Sequence, residues 1–202
     1  VTAVDIRSYS ARCVILGHAE SGKTTLVRAL KHNIAQLPLP APSVYESTNH
    51  VSIETITLGE GAEQVALSVW DLQGSLHGAS TTMRYLSENS LFMLTVPALG
   101  VVQLTREGTE YVERWLSYLR HCAPTATVIP VLTKCDIIKG HEVGQGGSSV
   151  PLSQQLENAA APQLAWFNEQ LDKFSKLHNP TAPGAKTIKI LRPILCVMSI
   201  SG

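Results

Sequence analysis

Eight residues near the start of the chain, Gly17-His18-Ala19-Glu20-Ser21-Gly22-Lys23-Thr24, have the types and the spacing that hold a phosphate group. They follow an apolar run, Cys13–Leu16, and precede a helix-forming segment. Glycines let backbone N–H groups turn toward phosphate oxygens, Lys23 neutralises the outer phosphates, and the Thr24 hydroxyl can ligate Mg²⁺. A helix that begins here adds the positive end of its dipole. The predicted phosphate-contacting residues are Gly17, His18, Ala19, Glu20, Ser21, Gly22, Lys23, Thr24 and Thr25.

The alternative for this run is a glycine-containing turn between a strand and a helix, with one surface lysine. A bare match to the pattern arises by chance in on the order of one per cent of chains of this length. The strand pattern before the run and the helix pattern after it make chance a weaker explanation. We therefore favour a nucleotide ligand.

The composition favours a globular domain over a nucleic-acid-binding or membrane-spanning protein. With 202 residues, of which 44% are hydrophobic and 16% charged, the chain can form the core of one globular domain. Lys+Arg and Asp+Glu are 16 each, so the net charge is zero, and no basic stripe supports binding to nucleic acid or to a membrane surface. No apolar run has the length of a membrane span. The four cysteines form no C-x-x-C pair, so we expect core thiols in a reducing, cytoplasmic compartment.

The order of apolar and amphipathic segments predicts an α/β fold. Helices are predicted over residues 23–36, from Glu107 to His121, and from Pro162 onward. Residues 51–56, in which polar and apolar side chains alternate, and residues 65–70 are separated by a turn, so they predict a hairpin. The polar alternation indicates that its first strand is the edge of the sheet. The other predicted strands are residues 13–16, 91–96, 127–132 and 194–198. We therefore expect a mostly parallel six-stranded sheet, with one antiparallel edge strand and helices on both faces.

A carboxylate and a glycine follow the predicted strand that ends at Trp70. Asp71 and Gly74 form an Asp-x-x-Gly motif, in which the carboxylate can hold Mg²⁺, directly or through water. The Gly74 N–H can donate to a terminal phosphate. Alone the motif is common by chance, and a turn cap is the alternative. In combination with Gly17–Thr24 it indicates a site for a magnesium nucleotide.

A third motif, Thr133-Lys134-Cys135-Asp136, follows another predicted strand. The Asp136 carboxylate can accept hydrogen bonds from N1–H and the exocyclic amine of guanine, a pattern that adenine does not offer. The aliphatic part of Lys134 can cover the base. The alternative is a turn at the end of a strand.

These three motifs, in this order, resemble those of the Ras-like GTPases, whose fold is a P-loop NTPase fold, and the resemblance covers nearly the whole chain. Within that superfamily, residues 70–74, 84–94 and 115–136, including Thr133 where Asn is commoner, are similar to the Roc domain of Roco proteins. The resemblance implies GTP and GDP as ligands, Mg²⁺, a COR-like domain next to this one in the same chain, and dimerisation. Because the sequence begins at Val1 without Met, we expect residues 1–202 to be a single Roc-like domain from a larger multidomain chain.

The same resemblance implies roles for further residues. Thr48 is the candidate for a loop threonine that ligates Mg²⁺ and senses the terminal phosphate; a solvent-facing loop threonine is the alternative, because His50 stands where relatives often have Gly. Ser199 and Ile200 resemble a loop that supports the base. The implied roles are catalysis for Lys23, Thr48, Gly74 and Ser75, Mg²⁺ binding for Thr24, Thr48 and Asp71, and guanine recognition for Thr133, Lys134 and Asp136.

Some residues depart from the pattern of these relatives. Ser75 follows Gly74, where many relatives have a Gln that orients water, so we expect intrinsic hydrolysis at about 10⁻⁴ to 10⁻² s⁻¹. His77 can replace that Gln, and a solvated loop histidine is the alternative. We expect Glu20 to point outward, because a carboxylate repels phosphate. The sequence ends at Gly202, where Ras-like domains continue into one more helix, so we expect exposed apolar sheet surface and self-association.

Three functions are compatible with these residues. The first is a GTP-binding switch that hydrolyses GTP slowly, with residues 37–50 and 72–82 changing order when the terminal phosphate leaves. The second is a nucleotide-binding, catalytically weak module that dimerises or acts as a scaffold. The third is an ATP-using P-loop enzyme, which requires Asp136 to be incidental.

Overall fold

A computed structural model describes residues 9–34, 51–59, 64–72, 86–98, 106–135, 152–178 and 186–197. These residues contain seven strands and three helices. They are β1 (Tyr9–Leu16), α1 (Lys23–Ile34), β2 (Ser52–Leu58), β3 (Val65–Asp71), β4 (Ser90–Pro97), α2 (Arg106–Cys122), β5 (Thr127–Thr133), α3 (Leu152–His178), β6 (Lys189–Ile190) and β7 (Leu195–Cys196). None of the helices in the described ranges is both long enough and apolar enough to span a membrane.

All strands belong to one sheet with the order β2-β3-β1-β4-β5-β6, and β7 also pairs with β5. The pairings are parallel except that of β2 with β3, the predicted hairpin. Since β6 and β7 pair with successive parts of β5, they share the sixth position of the sheet. The predicted fold class is therefore confirmed.

The strand register brings the polar strand ends to one edge of the sheet. Ile15 pairs with Asp71, Leu16 with Leu94, and Pro97 with Thr133. The carboxyl ends of β1, β3, β4 and β5 consequently lie side by side, which is where ligands bind in sheets of this kind.

Successive residues of β1 point to opposite faces of the sheet, and each face has its own apolar cluster. The cluster on the α1 face consists of Cys13, Ile15, Leu26, Val27, Ile56, Val69 and Val131. The cluster on the α2 and α3 face includes Val14, Leu16, Phe92, Leu94, Leu116 and Phe167. The loop after β1 is thus anchored at its start by a strand that is buried on both faces.

The last strand was predicted over residues 194–198, whereas the structure has two short strands that begin earlier, at Lys189. The gap between these two strands, β6 and β7, lies opposite Pro130 in β5. The carbonyls of Val128 and Leu132 accept hydrogen bonds from Leu191 N and Val197 N, so Pro130, midway between them, faces the same neighbour. Because proline has no N–H to donate, the ladder is broken at that point.

The prediction that the last helix begins near Pro162 was wrong. α3 begins at Leu152 and Pro162 lies inside it. Three alanines, residues 159–161, favour helix before the proline. Both Pro162 and Asn158, the residue one turn earlier, are exposed, so the hydrogen bond that Pro162 cannot donate is lost at the surface, where water replaces it.

Candidate phosphate-binding site

The loop between β1 and α1 has a shape that requires both glycines of its motif. A Cβ on Gly17 would lie 2.1 Å from Thr95 Oγ1 and 2.4 Å from Ser21 Oγ, so no larger residue fits there without displacing the loop. Gly22 has φ of +83°, a conformation that side chains disfavour. α1 starts immediately after it, at Lys23, which places the N-terminal N–H groups of the helix beside the loop.

Lys23 is buried, with 6% of its surface exposed, and its ammonium group lies within the loop. Its Nζ donates a hydrogen bond to the His18 carbonyl oxygen at 2.6 Å, and Ser21 N donates to the same oxygen at 3.2 Å. Burial lowers the pKa of Lys23 to about 8, although the Asp71 carboxylate opposes this effect. A buried ammonium group that costs free energy is stabilised when an anion such as a phosphate binds beside it.

Thr24 and Asp71 form the second polar pair of the site. Thr24 Oγ1 donates to Asp71 Oδ2 at 2.5 Å, and Asp71 is 2% exposed. A hydroxyl and a carboxylate oxygen are the ligands that Mg²⁺ prefers, and Mg²⁺ keeps several waters, so two protein oxygens are enough to hold it. The pair therefore fits the predicted Mg²⁺ site, with Thr24 and Asp71 as the residues that would hold the ion.

Thr133 lies at the end of β5 and contacts the phosphate loop. Its hydroxyl donates to the Ser21 carbonyl oxygen at 2.6 Å, with Val96 O at 3.3 Å, and the residue is 3% exposed. The hydroxyl was predicted to help recognise guanine, and its observed contacts are with loop and strand backbone. The next residue, Lys134, is half-buried and has φ of +57°, so the chain turns sharply where the base-recognition motif begins.

Two residues of the site, Thr95 and Tyr111, were missed by the sequence analysis. Thr95 Oγ1 donates to Leu16 O at 2.9 Å and lies 2.7 Å from Ser21 Oγ. Tyr111, on α2, accepts a hydrogen bond from His18 N and donates to Thr95 O at 3.3 Å. Thr95 had one detectable signal, as the single hydroxyl residue in the apolar run 91–96, whereas nothing in the sequence connected Tyr111 with a loop 93 residues away.

The other predicted site residues divide into two groups. His18, Ala19 and Glu20 are exposed on the loop, and Thr25 is half-buried in the first turn of α1. The remaining predicted residues lie outside the described ranges, so their roles stay predictions. They are Thr48, Gly74, Ser75, His77, Asp136, Ser199 and Ile200.

Comparison with known families gives one result that bears on this geometry. The model of the family described as Ras of Complex, Roc, domain of DAPkinase matches residues 12–136. The match covers more than half of the chain and includes the phosphate loop, Asp71 and the motif that begins at Thr133. A comparison with curated proteins finds no match.

Proposed function

Because this chain belongs to the Roc family of Ras-like GTPase domains, we propose that it is a switch domain that binds GTP and GDP with Mg²⁺ and hydrolyses GTP slowly. Guanine nucleotide binding at the general level follows from the family. The Mg²⁺ requirement, the slow rate and the switching role belong to the proposal.

The observation that carries the proposal is the position of three side chains around the loop. Lys23 Nζ lies 2.6 Å from the His18 carbonyl, and Thr24 Oγ1 lies 2.5 Å from Asp71 Oδ2. An ammonium group, a hydroxyl and a carboxylate are thereby held next to the N-terminus of α1. This arrangement supplies a cation for phosphate oxygens and oxygen ligands for a divalent ion.

Each residue has a stated task in the proposed reaction. Lys23 binds and neutralises the outer phosphates, and the backbone N–H groups at the start of α1 orient them. Thr24 and Asp71 would hold Mg²⁺, which when bound offsets negative charge on the phosphates. We assign orientation of the terminal phosphate to Gly74, and guanine recognition to Asp136 with Lys134 beside the base.

We propose a slow reaction because of Ser75. Its hydroxyl is shorter than the Gln that many Ras-like relatives have at this position, so it reaches less far toward an attacking water. We expect about 10⁻⁴ to 10⁻² s⁻¹ in a single-turnover measurement, the range of unassisted relatives. His77→Ala tests the competing idea that His77 orients the water: an unchanged rate would discard it.

The deciding experiment is nucleotide binding by the purified protein. We expect GDP and GTP to bind with Mg²⁺ present, ATP to bind at least about 100-fold more weakly, and chelation of Mg²⁺ to speed release. Identification of the nucleotide that co-purifies gives an independent check. Equal affinity for ATP and GTP would overturn guanine selectivity, and no binding of either would overturn the proposal.

The predicted partners remain proposals as well. The COR-like domain in the same chain and the homodimer rest on the family resemblance alone. The competing function, a dimerisation or scaffold module with weak catalysis, is distinguished by the same binding experiment together with the hydrolysis rate. Binding without hydrolysis would favour the scaffold.

A further inference from the structure

Tyr111 connects helix α2 to the phosphate loop through its hydroxyl group, which accepts one hydrogen bond and donates another. The oxygen accepts a hydrogen bond from the backbone N–H of His18, and the hydroxyl proton is donated to Thr95 O at 3.3 Å. One hydroxyl group thus joins three elements of the structure: α2, β4 and the loop that follows β1.

The side chain of His18 makes a second contact with the same tyrosine. The imidazole and phenol rings have centroids 5.5 Å apart and are tilted by 54°. Tyr111 therefore contacts both the backbone and the side chain of one loop residue. The tyrosine itself is half-buried and packs against the apolar cluster of the α2 and α3 face, which fixes its ring.

His18 is also the residue that holds the loop lysine. Its carbonyl oxygen accepts the 2.6 Å hydrogen bond from Lys23 Nζ. Tyr111 fixes the peptide group on the N-terminal side of His18, and Lys23 is held by the carbonyl on the C-terminal side. Movement at His18 therefore displaces the anchor of Lys23.

We propose that Tyr111 is a positioning residue that sets how long the loop retains its nucleotide, by fixing His18 and through it the Lys23 ammonium group. This inference rests on the proposed function, because it concerns the same phosphate site. Tyr111 contacts the backbone and the ring of a loop residue, so its effect is on retention of the ligand. It also makes α2 the helix whose displacement loosens the site.

The test is the dissociation rate of a fluorescent GDP analogue from Tyr111→Phe, with Mg²⁺ present. The substitution keeps the ring and removes the hydroxyl, so the His18 N–H loses its acceptor. We expect release to be about threefold to tenfold faster, the effect of one lost hydrogen bond. Tyr118→Phe is the matched control, because Tyr118 lies on the same helix and packs against the same cluster, and we expect it to release nucleotide at the parent rate.

Thermal unfolding separates positioning from a general loss of stability. A structural effect lowers the melting temperature equally with and without GDP, whereas a positioning role reduces the increase that saturating GDP produces. His18→Ala keeps the backbone hydrogen bond and removes only the ring contact, so we expect a smaller change in release than for Tyr111→Phe.

The outcomes distinguish the two proposals. If the parent binds GDP and Tyr111→Phe releases it at the rate of Tyr118→Phe, the role of Tyr111 is overturned and the proposed function stands. If His18→Ala accelerates release and Tyr111→Phe does not, the ring contact acts and the hydroxyl does not, which also overturns the inference. If the parent binds no guanine nucleotide, both proposals fail.

Discussion

Among the residues that the structure describes, two sets of side chains surround the phosphate loop, and they differ in charge. The charged set brings together an ammonium group, a hydroxyl and a carboxylate, and its members are Lys23, Thr24 and Asp71. The neutral set makes only hydroxyl hydrogen bonds, mostly to backbone atoms, and its members are Thr95, Tyr111 and Thr133.

This difference in charge indicates that one set acts mainly on ligand affinity and the other mainly on the protein itself. Neutral hydrogen bonds between buried groups satisfy the loop backbone, so the two buried threonines, Thr95 and Thr133, are expected to stabilise the fold, whereas the half-buried Tyr111 is expected to act on nucleotide retention. A buried ammonium group costs free energy until an anion arrives, as the lowered pKa of Lys23 indicates. The charged set is therefore expected to contribute affinity at the expense of stability, and substitutions can separate these two effects.

The largest expected effect is on affinity and comes from the charged set. Lys23→Met should weaken GDP binding by at least about 100-fold, because a charge-assisted contact to phosphate is lost. The same substitution should raise the free energy of unfolding without nucleotide by about 1 kcal/mol at pH 7, because a buried charge is removed. Titration calorimetry and denaturant unfolding measure the two quantities.

Lys31→Met is the control for this substitution. Lys31 lies on the same helix, is exposed, and pairs with Glu54 at 2.8 Å. An exposed pair contributes little, so neither affinity nor stability should change by more than about 1 kcal/mol. Equal affinity of the Lys23 and Lys31 variants would show that Lys23 does not contact the ligand.

The buried threonines of the neutral set should show the reverse order, with a larger effect on stability than on nucleotide affinity. Thr133→Val keeps the shape of the side chain and leaves the Ser21 carbonyl without its buried donor, so we expect the free energy of unfolding to fall by about 2 kcal/mol. Thr133→Ser keeps the hydroxyl and loses one methyl group, which costs about 0.8 kcal/mol. Denaturant unfolding compares them, and a Val variant as stable as the Ser variant would contradict a supporting role for this hydroxyl.

The same division separates what the sequence predicts from what it does not. Lys23 and Thr24 were found because the motif is local, and Asp71 because it ends a recognisable strand. Thr95 and Tyr111 were not found, because their roles depend on the register between β1 and β4 and on the position of α2, which sequence periodicity does not encode. Residues that bind a phosphate or a metal ion through charge can be recognised by their type, whereas hydroxyl groups that hold the loop by neutral hydrogen bonds can be recognised only from tertiary packing.

Some elements of the fold can likewise be predicted from local sequence patterns, whereas others depend on contacts between distant segments. The alternating and apolar runs were enough to predict the sheet, its edge strand and the start of α1. The start of α3 was predicted too late, because proline is common at the first position of a helix, whereas α3 contains Pro162 in its interior, at an exposed position. The interruption between β6 and β7 contains Pro193 and lies opposite Pro130 of the neighbouring strand, and the second of these two relations is revealed only by the pairing.

The free-energy cost of burying the Lys23 ammonium group should depend on pH, with an effect smaller than that of Lys23→Met on affinity and that of Thr133→Val on stability. Because the pKa of Lys23 is lowered from 10.5 to about 8 in the folded protein, the unfolded chain holds more protons between these values, and stability rises with pH there. The difference in unfolding free energy between Lys23→Met and the parent should therefore fall by about 1.4 kcal/mol between pH 7 and pH 9, so the advantage of about 1 kcal/mol at pH 7 should be gone by pH 9.

Comparison with the Met variant removes other titrations from this measurement. Burial raises the pKa of Cys13 to about 12, which lowers stability above pH 9, and this group is common to both proteins. Denaturant unfolding without nucleotide and with a chelator present gives the difference at each pH. A constant difference from pH 7 to pH 9 would mean that the Lys23 ammonium group is not destabilised by burial.

The smallest effect tests a residue that belongs to neither set. Glu20 is exposed on the loop with φ of +63°, a conformation that costs a residue with a side chain about 1 kcal/mol. Glu20→Gln removes only the charge, so GDP affinity should rise about twofold to fivefold with unchanged stability. Glu20→Gly also removes the cost of the positive φ at this position. Because glycine makes the unfolded chain more flexible, which offsets part of this gain, the unfolding free energy should rise by only about 0.5 kcal/mol. If Gln leaves the affinity unchanged and Gly alone raises it, the shape of the loop limits binding, and the charge of Glu20 does not.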